Sequence, residues 1–219
     1  MNQLPYGNFG CGRIILPGPK PAHHVLVPDA VYQYPKWVNI DRNHQPGVDK
    51  VMDVFRFPWD LESNSLDGAL ITHLVEHCPH EIRAQHNLPA TGKAAARWHE
   101  LSDLQDAWYC FFAELHRVLT PGAVAYILSP YAWSQGAATD PTHQRLITEH
   151  VFTHSMQPDP NSPFEYKTGG LNFRMVAPAA FGITPLFQHL IGRDELLQHA
   201  LMTQLNVAYE LMVMLECVK

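Results

Sequence analysis

Three side chains able to bind metal or move protons fall within five residues in "HLVEH" (73–77), where His73, Glu76 and His77 have the spacing H-x-x-E-H. On a helix this spacing presents two imidazoles one turn apart with a carboxylate beside them, a set that holds zinc in some hydrolases with the glutamate as base. The preceding "LDGALIT" reads instead as a strand, and Pro79 follows closely, so the helix has little room and no metal is expected here. A further histidine lies in "DPTH" (140–143): Asp140 reads as a helix cap and Pro141 as the first helical residue, which puts His143 in the first turn. Metal-free, His73 and His143 are candidate catalytic groups that orient a bound reactant or move its proton, although each also suits a structural histidine bonded to backbone. The third candidate is "NFGCGRIILPG" (8–18). Nothing next to Cys11 lowers a thiol pKa, so the glycines carry the interest: Gly10 and Gly12 mark a place where something approaches the backbone.

Positioning these groups requires elements, and hydrophobic patterning supplies them. "WVNID" (37–41), "KVMDV" (50–54), "LDGALITHL" (66–74) and "AVAYILSP" (123–130) are short β-branched, apolar runs that read as strands. "WHELSDLQDAWYCFFAELHRVL" (98–119) repeats apolar residues at three and four, an amphipathic helix with its cap near Ser102 and its stop at Pro121-Gly122. The strand–helix–strand order implies parallel pairing through a crossover. Residues 16–35, with Pro17, Pro19, Pro21, Pro28 and Pro35, read as loop. "QLPYGN" makes a poor first strand, short or at an edge. Later, "DPTHQRLITEHVF" (140–152) reads as a helix, and "NFRMVAP" (172–178) and "VAYELMVMLECV" (207–218) as strands.

A glycine turn, a strand ending in "NID", another ending in "MDV", an apolar strand running into "HLVEH", a long helix and "RVLTPGAVAYILSP" follow one another over residues 5–130. In that order they resemble the Rossmann-like S-adenosylmethionine-dependent methyltransferases, and within them a small-acceptor, type 11-like branch. The resemblance implies a single-domain α/β fold, a mostly parallel central sheet with helices on both faces. It implies that S-adenosylmethionine lies along Gly10, Cys11 and Gly12, that Asp41 accepts hydrogen bonds from the ribose hydroxyls, and that Asp53 and the Val54 backbone meet the adenine. It also makes "HLVEH" a turn lining the cleft, with the acceptor over His73 and the segment 131–175. Tyr131, Trp133, Phe164, Tyr166 and Phe173 are candidate walls of that pocket, or ordinary core. Three features depart from the pattern: the weak first strand, a Gly12-to-Asp41 separation longer than the usual fingerprint of about 20 residues, and "PGA" in place of a double glycine.

The chain has 219 residues, 46% hydrophobic, enough for one domain of residues 1–219, with residues 1–130 as the cofactor part and 131–219 as the acceptor part. Its formal charge of −6 argues against a broad nucleic-acid-binding face, and no Asp/Asn-Pro-Pro-aromatic motif follows "ITHL", so a small-molecule, sugar, lipid or peptide acceptor is favoured over DNA. Cys11, Cys78, Cys110 and Cys217 lack metal or disulfide spacing, and neither a signal peptide nor a membrane span is evident; a cytoplasmic protein is expected. The rival function is a methyltransferase-shaped scaffold without activity, and behind it a zinc hydrolase using "HLVEH". Oligomeric state is left open.

Overall fold

The computed structural model describes residues 3–80, 82–83, 104–156 and 171–219. Its strands are β1 (Tyr6–Phe9), β2 (Trp37–Asp41), β3 (Lys50–Val51), β4 (Leu66–Thr72), β5 (Ile82–Arg83), β6 (Leu104–Gln105), β7 (Leu119–Pro130), β8 (Phe173–Met175), β9 (Ala180–Ile183) and β10 (Ala208–Cys217). The helices are α1 (Asp29–Tyr32), α2 (Ala107–Val118), α3 (Gln135–Thr139), α4 (Glu149–Met156) and α5 (Asp194–Thr203). β5 and β6 form a separate antiparallel pair, and the main sheet runs β3-β2-β1-β4-β7-β10-β8, with β9 also on β10.

From β3 to β7 all neighbours are parallel, whereas β10 runs antiparallel to β7. The chain leaves β1 on one side for β2 and β3, then returns to β4 on the other. Such a reversal opens a crevice at the carboxyl ends of the strands. Because β10 is reversed, its amino end lies beside the carboxyl end of β7, with Glu210 opposite Pro130. A residue from the end of the chain thus reaches the crevice. β1 is short, as its proline and glycine suggest, but it is central: β2 and β4 flank it on both sides, and no edge exposes it.

Alternate residues of the strands feed two cores. On one face Ala69, Ile71, Ala125, Ile127, Leu211 and Leu215 pack with α2 and α4. The helix α2 buries Trp108, Phe111, Phe112, Leu115 and Val118 there, at the three- and four-residue spacing of an amphipathic helix. Asp106 caps it by accepting the Trp108 amide at 2.8 Å, so the described helix starts at Ala107, not near residue 98. Ser102 lies outside the described residues. On the other face Leu70, Leu128 and Met212 meet Leu16, Val27, Val31, Tyr32 and Trp37. There the proline-bearing segment, with only the single turn of α1, does the covering that a longer helix would otherwise do.

That segment is tied down by two asparagines. Asn39 on β2 donates Nδ2 to the Leu16 carbonyl at 2.7 Å and accepts the Leu16 amide at 2.9 Å. Asn8 on β1 donates to the Ile14 carbonyl at 2.7 Å and to Asn39 Oδ1 at 2.9 Å. Both side chains are buried with their groups paired, which is what makes polar residues tolerable inside a sheet.

The tail differs from its sequence reading between 140 and 148, which is turn and coil. Asp140 ends α3 and folds an Asx turn, its Oδ1 accepting the Thr142 amide at 2.8 Å, so it caps no following helix. The next helix, α4, starts at Glu149. Among the described residues no helix is long and apolar enough to cross a membrane, and no disulfide joins the four cysteines, all of which are buried.

Phe112 is fully buried against Trp108, Phe111, Phe152 and Phe173. Phe112→Ala is expected to cost about 3–5 kcal/mol in urea unfolding, while Leu186→Ala, at an exposed position, should stay within about 0.5 kcal/mol. Similar losses at both positions would contradict this core.

Candidate functional site

The turn after β1 passes through Gly10 and Gly12 with φ of +64° and +51°, a region that costs other L-residues about 1–2 kcal/mol. A side chain at Gly10 would press on Leu74, 3.0 Å from its Cδ1, so the turn lies directly against the loop after β4. At Gly12 the nearest atom is the Gly10 carbonyl oxygen at 4.0 Å, which leaves open space beside the backbone. Asp41, buried at the end of β2, accepts the Gly12 amide at 2.9 Å through Oδ2 and the Asn43 amide at 2.8 Å through Oδ1. Each carboxylate oxygen keeps a lone pair for a further donor. Gln45, which no sequence signal marked, donates from Nε2 to the Gly12 carbonyl.

Cys11 is buried, its amide donating to the Ile40 carbonyl at 3.0 Å. Burial, then the Asp41 charge, pushes its thiol up to about 11, the opposite of a nucleophile's tuning. Asp53 follows β3, where Met52 donates its amide to the Asp41 carbonyl at 2.8 Å. The Asp53 carboxylate accepts the Phe55 amide at 3.0 Å and stands half-exposed. Val54 is buried, and its carbonyl takes the indole N–H of Trp59 at 3.0 Å. Gly10, Cys11, Gly12 and Asp41 are thus one unit, with Asp53 and Val54 further along the same sheet edge.

On the other side of the crevice, His73 follows β4 with φ of +50° and donates its amide to the Leu128 carbonyl at 2.8 Å. Its Nε2 lies 3.2 Å from Glu210 Oε1 and its Nδ1 3.6 Å from Glu76 Oε1. Burial works against charge on this ring, but the two carboxylates, Glu210 first, outweigh it and hold its pKa up to about 9. His143 lies in the turn after α3, its side chain only 10% exposed, with Nε2 4.0 Å from Glu76 Oε1. Both candidate histidines therefore flank Glu76.

Backbone bonds fix this arrangement: the Gln144 and Arg145 amides donate to the Glu76 carbonyl at 2.8 and 3.0 Å. Arg145 adds a bond from Nε to the Cys78 carbonyl at 2.8 Å and reaches Asp106 at the start of α2. The helix needed for a hydrolase-type H-x-x-E-H site is absent: Val75–His77 is a single 3-10 turn, and His73 and His77 make separate contacts.

Of the five proposed aromatic walls, Phe173 and Tyr131 belong to the core, Trp133 is exposed, and Phe164 and Tyr166 lie outside the described residues. Sequence reasoning passed over Glu210 and His24. Glu210 is an acid inside the apolar run "AYELMVML", and a charge in a strand that otherwise reads as core was its available signal.

No family model and no curated protein sequence matches the chain. Among solved structures it is similar to a SAM-dependent methyltransferase from Archaeoglobus fulgidus, at 16% identity and a TM-score of 0.56 over 98% of this chain and 86% of that one. It is also similar to the [4+2]-cyclase SpnF, at 11% identity and a TM-score of 0.50 over 99% of this chain and 75% of that one. The chain has the Rossmann-like fold of the S-adenosylmethionine-dependent methyltransferases. That a cyclase shares this methyltransferase fold illustrates that a fold is not a reaction, and the reaction has to be argued from side chains.

His24 on the covering segment is fully buried, its Nδ1 bonded to the Tyr32 hydroxyl. Burial, then the charges of His23, His73 and Lys20, lowers its pKa to about 4. An unfolded imidazole titrates near 6.5, so as pH falls below about 6.5 the unfolded chain gains a proton that the folded chain refuses, and stability drops until about pH 4. The His24 ring resonances followed by NMR should stay those of a neutral imidazole at pH 5.5, and a midpoint near 6.5 would contradict its burial.

Proposed function

We propose that this chain is a methyltransferase that uses S-adenosylmethionine to methylate a small-molecule, sugar, lipid or peptide acceptor. The observation that carries the reading is the left-handed Gly10–Gly12 turn bonded to the Asp41 carboxylate, with open space beside Gly12. The remaining lone pairs of Asp41 suit the two ribose hydroxyls, and the open backbone at Gly12 suits close approach of the cofactor's methionine portion. Asp53 and the Val54 backbone serve the adenine. When bound, the cofactor would supply an electrophilic methyl group on a sulfonium, with the neutral thioether S-adenosylhomocysteine as the leaving group.

The chain's part is then to align the acceptor and keep water out. His73, one residue beyond β4 and one before the Leu74 that packs on Gly10, borders the place where the acceptor meets the methyl group. His143 borders the same side from the turn after α3. The type 11-like branch rests on the glycine turn and "HLVEH" quoted above, and the acidic balance of the chain supports an acceptor other than nucleic acid.

Calorimetry with S-adenosylmethionine and S-adenosylhomocysteine tests this without knowledge of the acceptor. The wild-type chain should bind both, and Asp41→Ala should weaken them by about ten- to a hundredfold, the scale of about 1.5–3 kcal/mol for hydrogen bonds to a charged group. His73→Ala should leave cofactor affinity within about threefold, because its place is on the acceptor side. A folded wild-type chain that binds neither compound would favour the inactive scaffold. Unchanged affinity in a folded Asp41→Ala variant would remove the ribose assignment.

A further inference from the structure

We propose that Glu76, His77 and His143 together hold one divalent transition-metal ion, Zn²⁺ by donor type, on the acceptor side of the crevice. One ligand atom from each residue lies within 4.8 Å of the others. An ion with bonds of about 2.0–2.2 Å needs its donors roughly 3–3.5 Å apart, so binding draws the three inward by about 1 Å, within reach of side-chain rotation.

Both imidazoles anchor Nδ1 on an acceptor, so Nε2 is the nitrogen each would offer a metal. His143 Nδ1 lies 3.0 Å from the Ala137 carbonyl, which only accepts, so that nitrogen donates, and Nε2 faces Glu76 Oε1 at 4.0 Å and Asp140 Oδ2 at 3.8 Å. His77 Nδ1 lies 3.1 Å from Thr142 Oγ1 and 3.3 Å from the Thr142 carbonyl. The Thr142 hydroxyl spends its own hydrogen on Asp140 Oδ1 at 2.6 Å, so both Thr142 oxygens act toward His77 as acceptors. His77 Nδ1 is therefore the donor, and its Nε2 is left for a ligand. An outward N–H anchored on a carbonyl, with the opposite nitrogen free, is the usual support of a metal-binding histidine.

Glu76 supplies the independent observation. Its side chain is only 2% exposed, yet among the described residues neither carboxylate oxygen has a hydrogen-bond partner. His73 Nδ1 is an ion-pair neighbour of Glu76 Oε1 at 3.6 Å, longer than a direct hydrogen bond, and the same ring is shared with Glu210 through Nε2 at 3.2 Å. A buried carboxylate that shares one imidazole with a second acid and has no direct hydrogen bond keeps part of its desolvation cost, and a cation between it and two further imidazoles would lower that cost. The scaffold is rigid: the amides of Gln144 and Arg145 bond the Glu76 carbonyl, locking the two ligand loops together. Two imidazoles and one carboxylate suit Zn²⁺ and its first-row neighbours, and three protein donors leave a coordination position for water or an acceptor atom. The ligand set is not that of the H-x-x-E-H hydrolases, since His143 replaces His73. The sequence argument against a metal, that no helix unites His73 and His77, does not reach this set.

The test uses the full chain, stripped with a chelator and titrated calorimetrically with Zn²⁺ alone. One ion per chain is expected, weakened at least tenfold in Glu76→Gln and in His143→Ala, and unchanged in His189→Ala, an exposed histidine outside the cluster. A second measurement needs no variant: in NMR spectra of the wild-type chain, Zn²⁺ should shift the Nε2 resonances of His77 and His143 and leave those of His24 in place. Absence of stoichiometric binding, binding that survives both substitutions, or shifts confined to other histidines would overturn the proposal. None of these readouts involves S-adenosylmethionine, so the metal site and the methyl-transfer reading fail separately.

Discussion

Asp41 accepts the Gly12 amide at 2.9 Å and the Asn43 amide at 2.8 Å, and through this one buried carboxylate the turn after β1 and the end of β2 become a single unit. The turn needs that support because its two glycines sit at positive φ, where the backbone has little of its own preference to hold it. Leu74 packs on Gly10 from the opposite side, so the same turn also sets where the loop after β4 runs. The strained His73, the buried Glu76 and the His77 beyond it follow that contact, and the His73 amide bond to Leu128 and the Gln144 and Arg145 amide bonds to the Glu76 carbonyl hold them there.

The two sides of the crevice are built from different materials. The Asp41 side is made of backbone and one carboxylate, a neutral-to-acidic edge with open space at Gly12. The other side gathers Glu76 and Glu210, with His73 between them and His143 alongside. Two buried acids at the end of a sheet are expensive, and the His73 ring between them offsets much of that cost, the reversed β10 bringing Glu210 to it. Glu76, with no direct hydrogen bond among the described residues, keeps a remainder of that cost, and the proposed metal site rests on it.

Much of this was legible in the sequence, for identifiable reasons. The strands ending at Asp41 and Thr72 and the strand through 123–130 are dense in apolar, β-branched residues, and their alternation survives into the two cores. The glycine turn was legible because only glycine suits its backbone. Less legible were features decided by tertiary partners. Pro5 and Gly7 suggest a first strand that is short or at an edge; it is short, yet the switch in topology places it at the centre. "DPTH" has the chemistry of a helix start, but Asp140 closes its own turn on Thr142, and Arg145 and Gln144 bind the Glu76 loop in place of continuing a helix. Glu210 gave a weak signal, because a buried acid in a mostly apolar strand says that something pairs with it without saying what.

The central claim is that the Gly10–Gly12 turn and Asp41 form the cofactor's seat. The most direct measurement is an amide NMR titration of the full chain with S-adenosylhomocysteine. The account predicts that the amides of Gly10, Cys11, Gly12, Asp41, Asp53 and Val54 shift together with one saturating curve, while those of the far end of the sheet, such as Val124 and Glu216, hold still. Saturable shifts clustered elsewhere, with the glycine turn unmoved, would contradict it.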